Sequence, residues 1–144
     1  MIKKIVSVLG FASLLVLGAP AICYSDSLPG LAAKATGSQV GCVRYDPLDN
    51  IATNVCGAIH VFIPFQSRAT GNFRFFATAP QPDATQCDVV LKDFNDNPQF
   101  SSGFFFLNNR TQLASAPVFA NTTISYDCFL QTNGRLQSVD DVQF

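Results

Sequence analysis

The sequence predicts an all-β protein: an antiparallel β-sandwich or small barrel of about eight strands, stapled by two disulfides. Three observations carry that expectation. Apolar residues recur with period two, and no stretch after residue 25 holds a helical period. The composition favours strands, with 14 Phe, one Met and no Glu, so the residues that best sustain helices are scarce. Finally, the cysteines follow an N-terminal stretch that reads as an export signal, and exported small domains use cysteines in pairs.

That first stretch begins Met1-Ile2-Lys3-Lys4, continues as an apolar run over Ile5–Leu17, and ends in Gly18-Ala19-Pro20-Ala21. A short cationic end, an apolar run and small residues make a secretory signal. The run falls short of the roughly 20 residues that a membrane helix needs. The chain therefore divides into a signal peptide at 1–25, a spacer or irregular arm at 26–38 and a single β domain at 39–144. The expected location is outside the cytoplasm, periplasmic or extracellular. Cleavage before Ile22 and before Asp26 both fit. Lipid attachment at Cys23 fits poorly, because Ile22 is not small.

About 119 residues remain after the signal, enough for one core. No later apolar run reaches spanning length, so no transmembrane span is expected in the mature chain. Seven Lys and Arg then stand against ten Asp, a formal charge of −3. The cations are scattered singly, which argues against nucleic acid as a partner.

Without Cys23 the cysteines are Cys42, Cys56, Cys87 and Cys128. Four allow three pairings, and the sequence does not choose among them. The most local arrangement is Cys42–Cys56 with Cys87–Cys128, closing loops of about 15 and 42 residues worth roughly 3 and 4 kcal/mol of chain entropy. Zinc does not suit them. Zinc-binding cysteines sit two to four residues apart, and the chain holds a single His.

In chain order, Val40–Tyr45 reads as a strand around Cys42, and Asp46-Pro47-Leu48-Asp49-Asn50 as a turn. Over Val55–Gln66, Ile59, Val61, Ile63 and Phe65 fall on one face, with His60, Phe62 and Pro64 on the other. Pro64 cannot donate to a ladder, which places it at an edge or a strand end. A turn around Gly71 leads to Asn72–Ala79, with Phe73, Phe75 and Ala77 on one side. After Pro80-Gln81-Pro82-Asp83, Cys87, Val89 and Leu91 share a face. Asn95-Asp96-Asn97-Pro98 turns into a strand over Phe100–Leu107, and Arg110–Ala116 returns. Ile124, Tyr126, Cys128 and Leu130 alternate inward over Thr122–Thr132. Asn133-Gly134 is the strongest hairpin signal in the chain. It predicts that Arg135–Phe144 folds back on the preceding strand, with Thr132 facing Arg135 and Cys128 facing Val139.

Catalytic signals are sparse. His60 is the only base for a Ser-His-Asp site, and it sits in a strand among apolar residues. No Gly-x-Ser-x-Gly elbow exists. Asp46, Asp49, Asp93, Asp96 and Asp127 are the carboxylates that a glycosidase pair would draw on, but spacing joins no two of them across a bond. Asp93, Asn95, Asp96 and Asn97 form an oxygen-rich loop that makes a weak calcium candidate. It lacks the Gly and Glu of an EF-hand and reads equally as an Asx-rich turn. No metal site and no cofactor is assigned.

The aromatics carry more weight. Phe104-Phe105-Phe106 would place rings on both faces of one strand. They are either buried between a sheet and a covering loop, or an exposed patch for a partner. The absence of Trp weakens a sugar-stacking surface. Asn109-Arg110-Thr111 and Asn121-Thr122-Thr123 match the N-glycosylation acceptor, of consequence only in a eukaryotic host. The expectation is a non-enzymatic secreted or periplasmic binding domain, its partner a protein or a carbohydrate. Second stands a structural subunit of a surface or pilus-like assembly built by strand addition, and third a small hydrolase.

Overall fold

The computed structural model describes residues 25–65, 70–80, 82 and 84–144. The expected signal, with Cys23, lies outside them up to residue 24. Among the described residues the chain forms thirteen strands and two short 3-10 turns. The strands are β1 (Ser25–Pro29), β2 (Lys34–Ala35), β3 (Val43–Asp46), β4 (Ile51–Asn54), β5 (Ile59–Phe65), β6 (Gly71–Ala79), β7 (Thr85–Lys92), β8 (Pro98–Ser101), β9 (Phe105–Phe106), β10 (Asn109–Val118), β11 (Thr123–Leu130), β12 (Arg135–Leu136) and β13 (Ser138–Gln143). No helix among them is long and apolar enough to cross a membrane.

Two antiparallel sheets face each other. One runs β1-β13-β6-β10, and the other runs β2-β5-β11-β7-β8, with β9 also on β7. Their inner faces are the period-two residues read from the sequence. Ile59, Val61, Ile63 and Phe65 of β5, Cys87, Val89 and Leu91 of β7, and Ile124, Tyr126, Cys128 and Leu130 of β11 are all buried against Phe73, Phe75 and Ala77 of β6. Tyr126 reaches across the core. Its ring meets Phe75 edge-on with centroids 6.5 Å apart, and its hydroxyl donates to the Asp140 carbonyl at 2.9 Å. Burial, with the negative charges of Asp141 and Asp140, pushes that hydroxyl well above its ordinary pKa.

Both disulfides form, as Cys42–Cys56 and Cys87–Cys128, with Cα atoms 5.2 and 4.1 Å apart. Cys87 and Cys128 stand directly opposite in the β7–β11 ladder, so this bond locks the centre of the second sheet. Cys42 closes a 3-10 turn over Gly37–Cys42, and the strand expected from Val40 starts only at Val43.

Three further expectations change. The segment 26–38 is not an irregular arm: β1 pairs β13, and β2 pairs Val61 and Phe62 of β5. Pro64 lies beyond this two-residue cover, where a missing N–H costs the ladder nothing. The run Phe100–Leu107 is not one strand. It breaks into β8 and β9, which pair with opposite ends of β7.

Asn133-Gly134 does not make a hairpin either. β11 lies in one sheet and β13 in the other, so Cys128 faces Cys87 rather than Val139. Asn133 has φ 64° and Gly134 has no positive φ, whereas a type I′ turn requires both. The Gly134 N–H donates to the Gln131 carbonyl at 2.7 Å, and a Cβ on Gly134 would lie 2.4 Å from the Ala84 carbonyl oxygen. The pair is a tight corner between the two sheets.

That corner opens a third sheet, β12-β4-β3, and fully buried Asn54 ties it to the second. Its Nδ2 donates to the carbonyls of Gly57 (2.6 Å), Leu130 (3.0 Å) and Gln131 (3.0 Å). Its Oδ1 accepts from the Cys56 N–H at 2.9 Å, and its backbone exchanges bonds with Asn133 and Gly134. Asn54→Ala strands these groups and is expected to cost about 3 kcal/mol. Cys87→Ala with Cys128→Ala is expected to cost a similar amount, roughly 2–5 kcal/mol. Denaturant unfolding of each variant measures both effects.

Candidate functional site

The two sheets treat their outer faces differently. On the first, the Phe76 ring is covered by the Arg110 guanidinium, 3.7 Å from its centroid, and Arg110 is ion-paired with Asp140. Arg74 lies 4.6 Å over Phe144 in the same way. Among the described residues, no guanidinium lies over the rings on the outer face of the second sheet.

Register lays this second face out as rows. His60, Phe129, Gln86 and Phe106 are successive cross-strand partners on β5, β11, β7 and β9. The next row is Lys34, Phe62, Asp127 and Asp88, followed by Pro64, Ser125, Val90 and Ser101. Cross-strand partners point the same way, with strands about 4.8 Å apart. His60 meets Phe129 edge-on at 5.1 Å and Phe104 at 6.1 Å. These three with Gln86 line an open depression of about 250 Å³. A second depression, about 340 Å³, lies between Phe62, Pro64, Lys92, Thr123 and Ser125. Rings thus alternate with hydrogen-bonding groups across the face.

Phe104, Phe105 and Phe106 are 45, 45 and 52% exposed, and Phe62 is 38% exposed. The reading of Phe104–Phe106 as covered does not hold. Only the following Leu107 is buried.

Asp88 sets the position of Phe104. Its Oδ2 accepts from Ser101 Oγ at 2.7 Å, and its Oδ1 accepts from Ser102 Oγ at 2.8 Å and the Ser102 N–H at 2.9 Å. Ser102 Oγ in turn accepts from the Val89 N–H at 3.0 Å. Gly103 follows with φ 74°, and the chain swings Phe104 onto His60. Sequence pattern alone does not single out Asp88. Its signal was an acid on the polar phase of β7 whose donors, Ser101 and Ser102, arrive only after the next turn.

Asp127 stands opposite Asp88 and would repel it. Asp127 is instead engaged on its other side, accepting from His60 Nδ1 at 3.1 Å. Among the described residues no hydroxyl bonds to His60, so the Ser-His-Asp arrangement is incomplete there. The other aspartates considered for carboxylate chemistry go elsewhere. Asp46 caps the turn after β3 through the Leu48 N–H at 3.0 Å, and Asp49 lies beside Ser27 and Gln137.

The calcium candidate is a turn held by its own donors. Asp93 Oδ1 accepts from the N–H groups of Asn95 and Asn97, both at 2.9 Å. Asn97 Nδ2 reaches both carboxylate oxygens, and Asp96 pairs with Lys92 Nζ at 2.9 Å. Among the described residues no His, Cys, Asp or Glu cluster is arranged to hold a metal.

No family model matches the sequence, and no curated protein matches it. Among solved structures the chain is similar to the C-terminal family 6 carbohydrate-binding module of LamC, a marine laminarinase from Zobellia galactanivorans. The TM-score is 0.54 at 10% identity, over 83% of this chain and 100% of that one. It also aligns with the CBM36-1 domain of a multidomain xylanase from the hindgut metagenome of Trinervitermes trinervoides. There the TM-score is 0.42 at 9% identity, over 84% and 98% of the two chains. At 10% identity the first likeness is one of fold, an antiparallel β-sandwich.

The N–H bonds that the Asp93 carboxylate accepts, led by that from Asn97, hold its carboxyl below the ordinary 3.8. A depressed native value means that the ionised group supports the turn above the unfolded value and that this support is lost as pH falls through the native one. The amide resonances of Asn95 and Asn97 are expected to titrate together with a midpoint below 3.8. This titration should vanish in Asp93→Ala. An NMR pH series checks it, and a midpoint at or above the ordinary value would contradict the assignment.

Proposed function

We propose that the protein is an exported, non-enzymatic carbohydrate-binding domain that lays its ligand across the outer face of the six-stranded sheet. The observation that carries this is the cluster of rings on that face, with Phe62 and Phe104 exposed and Phe129 half-buried beside His60, set among Asp127, Gln86, Lys92 and Ser125. A sugar ring has apolar C–H faces and a hydroxyl rim. Flat aromatic surfaces beside fixed donors and acceptors match both at once. An exposed aromatic patch otherwise carries a solubility cost.

The β-sandwich shared with a carbohydrate-binding module supports this reading. So does the state of the acidic groups. Asp88 and Asp127 are each committed to structural partners, whereas a glycosidase needs one carboxyl as a proton donor and the other aimed at the bond. The disulfides fit an oxidising compartment.

Assembly by strand addition has weaker support. The longest open edge is β10, which pairs only with β6. It carries a bulge at Leu113, between Gln112 and Ala114, and Pro117 near its end. Bulges and prolines are the devices that blunt an edge.

The test is a panel of neutral polysaccharides in affinity electrophoresis and calorimetry. Binding to at least one glycan is expected, with no release of reducing sugar. Phe62→Ala, Phe104→Ala and Phe129→Ala should each weaken it tenfold or more, while their melting temperatures stay near that of the parent. Tight binding that survives all three changes would place the ligand on another surface.

A further inference from the structure

A second surface lies on the small sheet β12-β4-β3. Thr53 of the central strand is partnered by Arg44 on β3 and by Arg135 on β12. Directly opposed residues in antiparallel pairs project to the same face. The two guanidinium groups therefore flank the Thr53 hydroxyl on one side of this sheet. The alternate positions Ala52 and Leu136 are fully buried in the core, so the arginine side is the solvent side. Arg44, Thr53, Arg135, Asn133, Tyr45 and Asp46 border an open cup of about 580 Å³, within the range of small-ligand sites.

The arginines of this cup differ from the two on the first sheet. Arg110 is paired with Asp140, and Arg74 lies over Phe144. Among the described residues neither Arg44 nor Arg135 has an ion-pair partner or a covering ring. The carboxylate in the wall, Asp46, is turned to the Leu48 N–H, and the Tyr45 hydroxyl is turned away to the Ala33 carbonyl at 2.6 Å. Two like charges two strands apart, about 9.6 Å between backbones, repel each other. A fold keeps them on one row at less cost when an anion sits between them. Guanidinium groups bind carboxylate and sulfate through paired, charge-assisted N–H bonds, and Thr53 and Asn133 add neutral donors at the centre and the rim.

We infer that the cup between Arg44 and Arg135 is an oxyanion site that takes a carboxylate or sulfate group, free or carried on a saccharide. The site is separate from the aromatic face and does not depend on it. Two isolated cations are too few to track a nucleic-acid backbone.

The test is an NMR titration of the whole protein at constant ionic strength with sodium sulfate, sodium chloride, oligogalacturonate and the neutral galactose oligomer. Sulfate or oligogalacturonate should shift Thr53, Asn133 and the arginine Nε–H resonances saturably. Saturation by both means that the group is accepted on a sugar, and saturation by sulfate alone means that only the free ion enters. Arg44→Gln with Arg135→Gln should weaken the response at least tenfold, and Arg44→Lys with Arg135→Lys should fall between, since charge remains and the paired geometry is lost. Arg44 is exposed and Arg135 half-buried on the solvent side of the sheet, so the variants are expected to fold, and their melting temperatures check it. Equal shifts from chloride and sulfate, equal shifts from charged and neutral oligomers, or a glutamine variant that binds like the parent would each overturn the site. Because the readout is local to Thr53, its result is independent of whether the aromatic face binds sugar.

Discussion

The covalent bond between Cys87 and Cys128 is the constraint on which the rest of the second sheet depends. It joins residues directly opposite each other on adjacent strands, with their Cα atoms 4.1 Å apart. A one-residue slip of β7 against β11 would turn every side chain of the slipped strand to the other face, pointing Gln86 and Asp88 into the apolar core and Val89 and Leu91 away from it. Such a slip requires the bond to break. The same bond fixes which residues share the outer rows, so the covalent link that secures the core also sets Phe129 beside Gln86 and in line with His60.

Polar groups do a second kind of work at the junctions. A sandwich whose chain crosses between sheets leaves carbonyls and N–H groups at the crossing with no ladder partner, and each must be satisfied. Asn54 does this for the ends of β4 and β11 and for the Asn133-Gly134 corner. Asp88 does it for the break between β8 and β9. Both are side chains bonding to distant backbone or loop, and both fix the geometry of a surface: Asn54 sets the small sheet that carries the arginine cup, and Asp88 sets the loop that carries Phe104.

The contrast between the two outer faces follows from the same accounting. On the first sheet, Arg110 covers Phe76 and neutralises Asp140 in one placement, leaving a face with both its charge and its aromatic area compensated. On the second, His60 is spent on Asp127 and Lys92 on Asp96, and the rings between them keep their surface open. Among the described residues these rings and the Arg44–Arg135 pair lack such compensation, and the proposed sugar face and oxyanion cup rest on them.

Much of the sandwich was legible from the chain. Period two picked out the buried faces of β5, β6, β7 and β11, because a half-buried strand writes its two environments alternately into the sequence. The cysteine count called for cross-links, and the Asx turns after Asp46 and Asp93 follow from side chains that bond their own backbone. What the sequence left open were the relations between distant segments. Asn133-Gly134 had the chemistry of a hairpin, but local turn preference is worth about a kilocalorie, less than burying β13 against β6 and satisfying the corner through Asn54. Phe104–Phe106 could be named but not placed, since their exposure depends on Asp88 of the neighbouring strand β7 ending β8 through Ser101 and Ser102. Local physics, set by each residue and its near neighbours, determined strands, turns and core faces. Only tertiary structure decided which strands pair, which cysteines meet and which rings and cations are left facing water, because those outcomes rest on contacts between residues well separated along the chain, 14 positions for Cys42–Cys56 and 41 for Cys87–Cys128.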